Sequence, residues 1–596
     1  LKAIWNKPKF VRNSNYVVTL DKLITKGLDI SLLTNHAGIQ TQIQEWQGLG
    51  IVDEKFNINE ITKSQDMFAD SKYKYLPFDT KHFDIDVKYA ILGLFDNFDE
   101  ECDGVLIKSD NYQALNTIMP KYKEQVDLIY IDPPYNTDAS QIIYNNNYKN
   151  STWLSFMQNR LELGLSILSE RGMQCTTIDD AEFHLLRELI SSIFMEDNIL
   201  GIACIKNNPS GRSTARGFSI AHEYGIFSSK SKGTQIGRLM RTDKQKDRYK
   251  EEDCSGTFEW VNFRKHGGTR QESPKMFFPI YITESYMKIP KMEWNDTKKE
   301  WIVLEEKKAT EKKIFPVDEH GVERRWKWSV ERTILEPNEF SIRLDKNREF
   351  SVYVKSRMND DGILPLTIWD KKEYSATSYG TNLLKNIFGS VNLFSYPKSI
   401  YAVIDSLRVL NAVDGKIILD FFGGSGTTAH ATIKLNREDN GMRKFILVEM
   451  GEYFETVTKS RIKKIIYTDN WKDGKAQDHK GISQLVKYYE LEQYEEALAK
   501  CKYKDHEVFD EQSPYSSYVF MADEKLLTDV VSITNKQVKI DLSKLYPDID
   551  VAETLSNLLG KKIAKQSKNS VTFTDGDKID LTNLDLDIIK PLLWWS

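Results

Sequence analysis

Cysteine is scarce and scattered in this chain of 596 residues: Cys102, Cys175, Cys204, Cys254 and Cys501 are odd in number, and none belongs to a Cys-x-x-Cys pair. This spacing argues against a disulfide framework or a cysteine-based zinc site, and ordinary buried thiols are expected. No stretch approaches the roughly 18 apolar residues of a membrane span, and the start of the chain has no hydrophobic signal region. A cytoplasmic protein without a membrane partner is expected. The first residue is Leu1 and not methionine, so part of the natural N-terminus is expected upstream. A Gly-x-x-x-x-Gly-Lys-Ser/Thr phosphate loop is also missing, so any ATP-driven work would belong to another chain. Nor is there an overall basic excess, since the net charge is −5. That average hides an uneven distribution: residues 200–395 hold 35 Lys and Arg against 27 Asp and Glu. A local excess of this kind suits contacts to phosphates, while the acidic remainder limits indiscriminate binding.

What is present is concentrated in two places. The apolar run Val126-Asp127-Leu128-Ile129 leads into Tyr130-Ile131-Asp132-Pro133-Pro134-Tyr135, the Asp-Pro-Pro-Tyr signature of enzymes that methylate an exocyclic amino group. The chemistry asks for these residue types. A base amino group is a poor nucleophile because its lone pair is delocalised into the ring. Asp132 and a backbone carbonyl can accept both of its N–H bonds, draw the nitrogen toward tetrahedral geometry and aim the lone pair at a methyl donor. Pro133 and Pro134 stiffen the strand end and offer carbonyls without N–H donors. Tyr135 can stack on a base turned out of its duplex. A buried strand ending in a plain Pro-Pro turn is the competing reading.

The second place is Lys416 to Thr428, where an apolar strand runs through Asp420-Phe421-Phe422 into Gly423-Gly424-Ser425-Gly426-Thr427-Thr428. The glycines allow close backbone approach to a cofactor, and the helix expected next supplies unpaired N–H groups at its start. Residues 443–449 form a further strand ending in Glu449, about twenty residues past the glycines, where a carboxylate can accept both hydroxyls of a ribose. The turn therefore reads as a nucleoside site.

With the catalytic motif first and the glycine motif last, the chain resembles the β-class amino methyltransferases. It is most similar to the modification (Mod) subunits of type III restriction-modification systems. Ser378-Tyr379-Gly380-Thr381-Asn382, Phe394-Ser395-Tyr396-Pro397-Lys398-Ser399, Asn436 to Gly441 and Val486 to Tyr494 carry that closer likeness. The resemblance implies methyl transfer from S-adenosyl-L-methionine to N6 of an adenine flipped out of double-stranded DNA, with no metal. It implies cofactor contacts from Asp110, Asp420, Phe422, Gly424, Ser425, Gly426, Thr427 and Glu449, and from Lys398 beside the methionine end. A homodimer and a separate ATP-dependent restriction (Res) subunit are implied as partners. Gly423 stands where the family often has alanine, and Ser109 where glycine is usual. Neither change removes a functional side chain, so activity is expected. Cytosine N4 or RNA methylation, a solitary adenine methyltransferase and a dormant DNA-binding specificity subunit are the alternatives. Aspartate rather than serine at position 132 favours adenine, and intact Asp132, Tyr135, Gly424, Gly426 and Glu449 weigh against dormancy.

The expected fold is α/β: a doubly wound, class I (Rossmann-like) methyltransferase sheet with an inserted target-recognition domain and extra terminal segments. The divisions are an N-terminal mixed or helical segment 1–100, a catalytic half 101–200, a recognition domain 201–395, a cofactor half 396–475 and a C-terminal interaction domain 476–596. Ile39, Ile43 and Trp46 share one face of a helix with a packing or oligomer-contact role. Asp110 ends a strand, and it can serve the cofactor or cap the helix after it. Arg212 and Arg216 in a polar loop, with Arg270 and Gln271 beside flexible glycines, are the candidate DNA contacts. The charge run Lys298–Lys313 reads as a solvated helix face. Tyr488 to Leu498 reads as helical, and the apolar positions Trp46, Tyr494 and Trp594 need packing partners.

Overall fold

The structure is a computed structural model that describes residues 9–63, 72–136, 150–212, 217–345, 348–359, 361–390, 393–493 and 546–585, with a few shorter stretches beyond residue 493. Eleven strands make one sheet. In chain order they are β1 (Val11–Thr19), β2 (Pro77–Asp79), β3 (Gly104–Lys108), β4 (Val126–Ile131), β5 (Leu168–Ile178), β6 (Ile199–Ile205), β7 (Glu223–Ser229), β8 (Ile368–Trp369), β9 (Ile417–Asp420), β10 (Lys444–Glu449) and β11 (Leu485–Leu491). Across the sheet the order is β8-β6-β7-β5-β4-β9-β10-β3-β11-β1-β2. From β5 to β11 every pairing is parallel. Strands buried on both faces require near-continuous apolar runs, and β3, β4, β9 and β10 supply them.

The connections show why this sheet can hold a site. From β4 the chain passes through helix Asn150–Ile167 to β5 on one side. From β9 it passes through helix Thr427–Asp439 to β10 on the other. The winding reverses between β4 and β9, which pair Leu128 with Ile418 and Ile129 with Leu419. Such a reversal opens a crevice at the carboxyl ends of the two strands. At their opposite ends Asp127 clamps the register, accepting from Lys416 Nζ at 2.7 Å and from the Ile417 amide at 2.9 Å.

The structure corrects several expected boundaries. Strands β7 and β8 and most of β6 lie within 201–395 yet belong to the large sheet. The part that forms a separate compact unit is Leu239–Ile363. Its core joins Phe263, Phe278, Ile280, Trp326, Val352 and Val354, and its first and last residues exchange two backbone hydrogen bonds of 2.9 Å. Within it the charge run is not helical. Glu300–Val303 pairs with Met292–Asn295 as a hairpin that sets Trp294 opposite Trp301, and Lys312–Ile314 is a strand that sets Ile314 opposite Ile280.

The terminal segments also join the main body. Helix Ile39–Gly48 buries Ile39, Ile43 and Trp46 as expected, and Trp46 finds its partners within the chain, edge-on to Phe78 and donating to the Pro77 carbonyl at 2.9 Å. Residues 485–491 are strand β11 and not part of a helix, since β3 and β1 cover both of its edges. Tyr494 and Trp594 lie outside the described residues. Cys102 and Cys175 are buried, whereas Cys204 is half-buried and Cys254 is exposed.

Beyond β11, helix Val551–Leu559 is fastened to the core by charge. Lys121 lies 2.7 Å from Asp99 and 3.0 Å from Glu553, while Lys487 lies 2.8 Å from Asp99 and 2.6 Å from Glu553. All four side chains are at most 4 % exposed. Two cations and two carboxylates cancel, which makes their burial tolerable; removing one leaves an uncompensated charge. Glu553→Ala is therefore expected to cost about 3–5 kcal/mol, read as a lower urea midpoint at unchanged slope. A midpoint within error of the parent would show that the quartet contributes little.

Candidate active site

Asp132 leaves the end of β4, and its orientation comes from its neighbours. Thr177, on adjacent β5, donates to Asp132 Oδ1 at 2.7 Å, and Lys398 Nζ lies 3.1 Å from the same oxygen. The Pro134 carbonyl accepts from Trp153 Nε1 at 3.0 Å, which fixes the Pro-Pro turn from behind. Tyr135 donates to Glu223 at 3.0 Å, and Lys398 donates to both Tyr135 and Glu223. Asn207 completes the shell of Glu223 at 2.7 Å. Burial pushes the Tyr135 phenol well above its usual range, and the nearby Asp132 and Glu223 carboxylates push it further, so the hydroxyl stays a donor. Burial opposes the Lys398 charge, but Asp132 and Glu223 outweigh it and raise its pKa.

Across the crevice the glycine turn follows β9. Gly424 and Gly426 have φ of +51° and +81°, the left-handed region that favours glycine. Gly426 caps helix Thr427–Asp439. Glu449, at the end of β10, accepts the Gly424 amide on Oε2 and the Gly451 amide on Oε1, each at 2.7 Å. Its burial raises its pKa against the pull of those two amides. Asp420 accepts from the Phe422 amide at 2.9 Å and from Thr428 at 2.6 Å; burial pushes it up to about 7, with Asp132 and Glu449 adding to the shift. The turn is also held from its protein side. Thr458 donates to the Gly424 carbonyl at 2.8 Å, and buried Arg461 donates to the Ser425 carbonyl at 3.2 Å and to the Ser425 and Thr427 hydroxyls at 3.0 Å.

Both halves line one cavity of about 420 Å³, a size suited to a cofactor and part of a substrate. Asp132, Pro133, Pro134, Tyr135, Lys398, Asp420, Phe422, Gly424, Ser425, Thr427 and Glu449 all line it, so most of the expected site is brought together. Asp110 is placed differently: it caps helix Asn111–Tyr122 through the Tyr112 and Gln113 amides and pairs with Arg160 at 3.3 Å, while its neighbours Ser109 and Asn111 line the cavity. Lys398, expected beside the cofactor, pairs with the Asp132 and Glu223 carboxylates. Among the expected DNA contacts, Arg212 lines the cavity with its side chain 54 % exposed. Arg216 lies outside the described residues. Arg270 belongs to the Leu239–Ile363 unit, where both oxygens of Glu323 bind it, and Gln271 is exposed there.

The sequence reading missed Glu223, Asn207, Thr458 and Arg461. Each acts through partners distant in the chain, so no local spacing marks it. Gly423 has a reason of its own to be glycine. A Cβ there would lie 2.6 Å from Leu447 Cγ and 3.0 Å from the Val448 carbonyl. Gly423→Ala is expected to destabilise the protein by about 1–3 kcal/mol through overpacking, measured by urea denaturation. Unchanged stability would mean that Leu447 yields without cost.

A family model described as DNA methylase matches residues 126–460, more than half of the chain. The type II methyltransferase M.KpnI of Klebsiella pneumoniae is 33% identical over 366 residues, covering 59% of this chain and 81% of that protein. The Mod subunit of the type III restriction-modification enzyme EcoPI of Escherichia phage P1 is 30% identical over 387 residues, covering 58% of this chain; the chain spans only 57% of that subunit's length. Among solved structures, the putative DNA modification methylase TTHA0409 of Thermus thermophilus, complexed with S-adenosyl-L-methionine, aligns over 60% of this chain and 93% of its own at 11% identity and a TM-score of 0.29. By the family match across both halves of the cavity, the chain belongs to the DNA methylase family.

Proposed function

We propose that this methyltransferase transfers a methyl group from S-adenosyl-L-methionine to N6 of adenine in double-stranded DNA, as the modification and recognition subunit of a type III restriction-modification system. The observation that carries the reading is the single cavity in which Asp132 and Tyr135 face the Gly424–Thr427 turn and Glu449. The cofactor's fit rests on that turn and on a buried Glu449 whose two oxygens are each anchored by one amide. An anchored carboxylate oxygen retains accepting capacity for a ribose hydroxyl. When bound, S-adenosyl-L-methionine supplies an electrophilic methyl on a sulfonium.

This chain's own residues would do the rest. Asp132 accepts an N–H of the target amine, and a carbonyl of the Pro-Pro turn accepts the other. Tyr135 offers its ring to the base, which requires the adenine to leave the duplex. The Asp132 carboxylate would also offset the positive charge that the amine gains as it accepts the methyl group. Arg212 at the rim supplies a cation for the DNA strand. The Leu239–Ile363 unit would read the sequence, and the likeness to a Mod subunit supports a homodimer and a separate Res partner.

Asp132→Ala is expected to abolish methylation while calorimetric affinity for S-adenosyl-L-methionine stays near that of the parent. Single-molecule sequencing of DNA from expressing cells reads the modified base and its motif. Methyl transfer at the parent rate would overturn the site, and N4-methylcytosine in place of N6-methyladenine would overturn the substrate. Exchanging Leu239–Ile363 for the equivalent unit of a related enzyme is expected to change the methylated motif and keep transfer. A chimera that methylates the original motif would remove recognition from that unit. Light scattering with and without DNA tests the dimer, and co-purification of a helicase-like subunit tests the type III assignment against a solitary enzyme.

A further inference from the structure

Glu223 opens strand β7, which pairs with β5, so the sheet carries its carboxylate over the carboxyl end of β4. Its side chain is 3 % exposed and is held by Tyr135, Asn207 and Lys398. Lys398 has only two carboxylate partners among the described ion pairs, Glu223 and Asp132. The cluster thus holds two negative charges and one positive, leaving a net charge of one carboxylate. Removing Glu223's charge would leave Lys398 to pair with Asp132 alone, in surroundings where such pairing is strong. An ammonium fully committed to Asp132 competes with the amine that Asp132 must accept and cancels the charge that favours a cationic transition state.

We propose that Glu223 is a positioning residue that draws Lys398 off Asp132, so that Asp132 keeps both its negative charge and room for the target amine. Through Tyr135 the same carboxylate fixes the ring offered to the base. Lys398 in turn stands between the Asp132 and Glu223 charges and offsets their repulsion. The set works only as three: a carboxylate that acts on substrate, a cation that permits a second carboxylate nearby, and that second carboxylate holding the cation aside. This inference rests on the reading of Asp132 as acceptor of the amine.

The test is a charge-suppression series in the full-length protein, read as single-turnover methylation with saturating DNA and S-adenosyl-L-methionine. Glu223→Gln is expected to lower the rate roughly 10- to 100-fold, no more than the loss of a direct transition-state donor, with cofactor affinity unchanged. Glu223→Asp, which keeps the charge, should lose less. The decisive variant is Glu223→Gln combined with Lys398→Met. It restores a lone Asp132 charge without the competing ammonium, and it is expected to be faster than Glu223→Gln alone. A purely structural role predicts the opposite order, because two lost contacts cost more than one. A double variant as slow as or slower than Glu223→Gln, with both melting temperatures and cofactor affinities at parent values, would overturn the proposal. If Glu223→Gln is too unstable to assay, Glu223→Asp compared with Glu223→Asp combined with Lys398→Met gives the same ordering test. Failure of the underlying reading is separate: it appears as methylation at the parent rate by Asp132→Ala, whatever the double variant does.

Discussion

The pairing of β4 with β9 is the constraint on which the rest depends. Strands β5 to β8 and the Leu239–Ile363 unit separate these strands in sequence, yet neither motif forms a cavity alone. Asp127 accepting from Lys416 and from the Ile417 amide fixes their relative register at one end. At the other end the same register sets Asp132 beside Asp420. A one-residue slip would flip the side chains of one strand to the other face of the sheet, taking either Asp132 or the glycine turn away from the crevice. Backbone register and the geometry of the cavity are here the same quantity.

The two motifs were legible because their chemistry is local. Asp132, the two prolines and Tyr135 are consecutive, the glycines follow a short apolar strand, and Glu449 ends the next one. The central strands were legible for a related reason, since burial on both faces demands the apolar runs of β4, β9 and β10. Strand β11 escaped because Lys487 looks like a surface residue; its neutralising partners, Asp99 and Glu553, are separated from it by long stretches of chain. Glu223 escaped in the same way. A single glutamate at the start of a strand carries no signal until the fold brings Tyr135, Asn207 and Lys398 to it. The division 201–395 crossed a structural boundary because β6, β7 and β8 break the parallel rhythm without leaving the sheet.

Electrostatics divides the molecule into two kinds of buried charge. The Asp99, Lys121, Lys487 and Glu553 quartet sums to zero and serves cohesion. The cavity does not balance: on its glycine-turn side Asp420 and Glu449 have no cation among the described ion pairs, and burial raises both. Uncompensated carboxylates cost stability unless they gain a proton or a cationic ligand. A sulfonium donor bound there would relieve that cost and its neutral thioether product would not. The same imbalance that burdens the folded protein would therefore favour donor over spent product.

The two backbone bonds that join Leu239 to Ile363 also bear on how the chain is made. A ribosome releases β4 long before β9, and in the interval one edge of β4 has no partner, the condition in which strands pair with the wrong chain. Loop-closure entropy grows with the length of flexible chain to be closed. An insert that folds on its own core and closes its mouth at one bridge removes residues 239–363 from that length. The late strand then searches over a much shorter tether, and nascent chains spend less time with an open sheet.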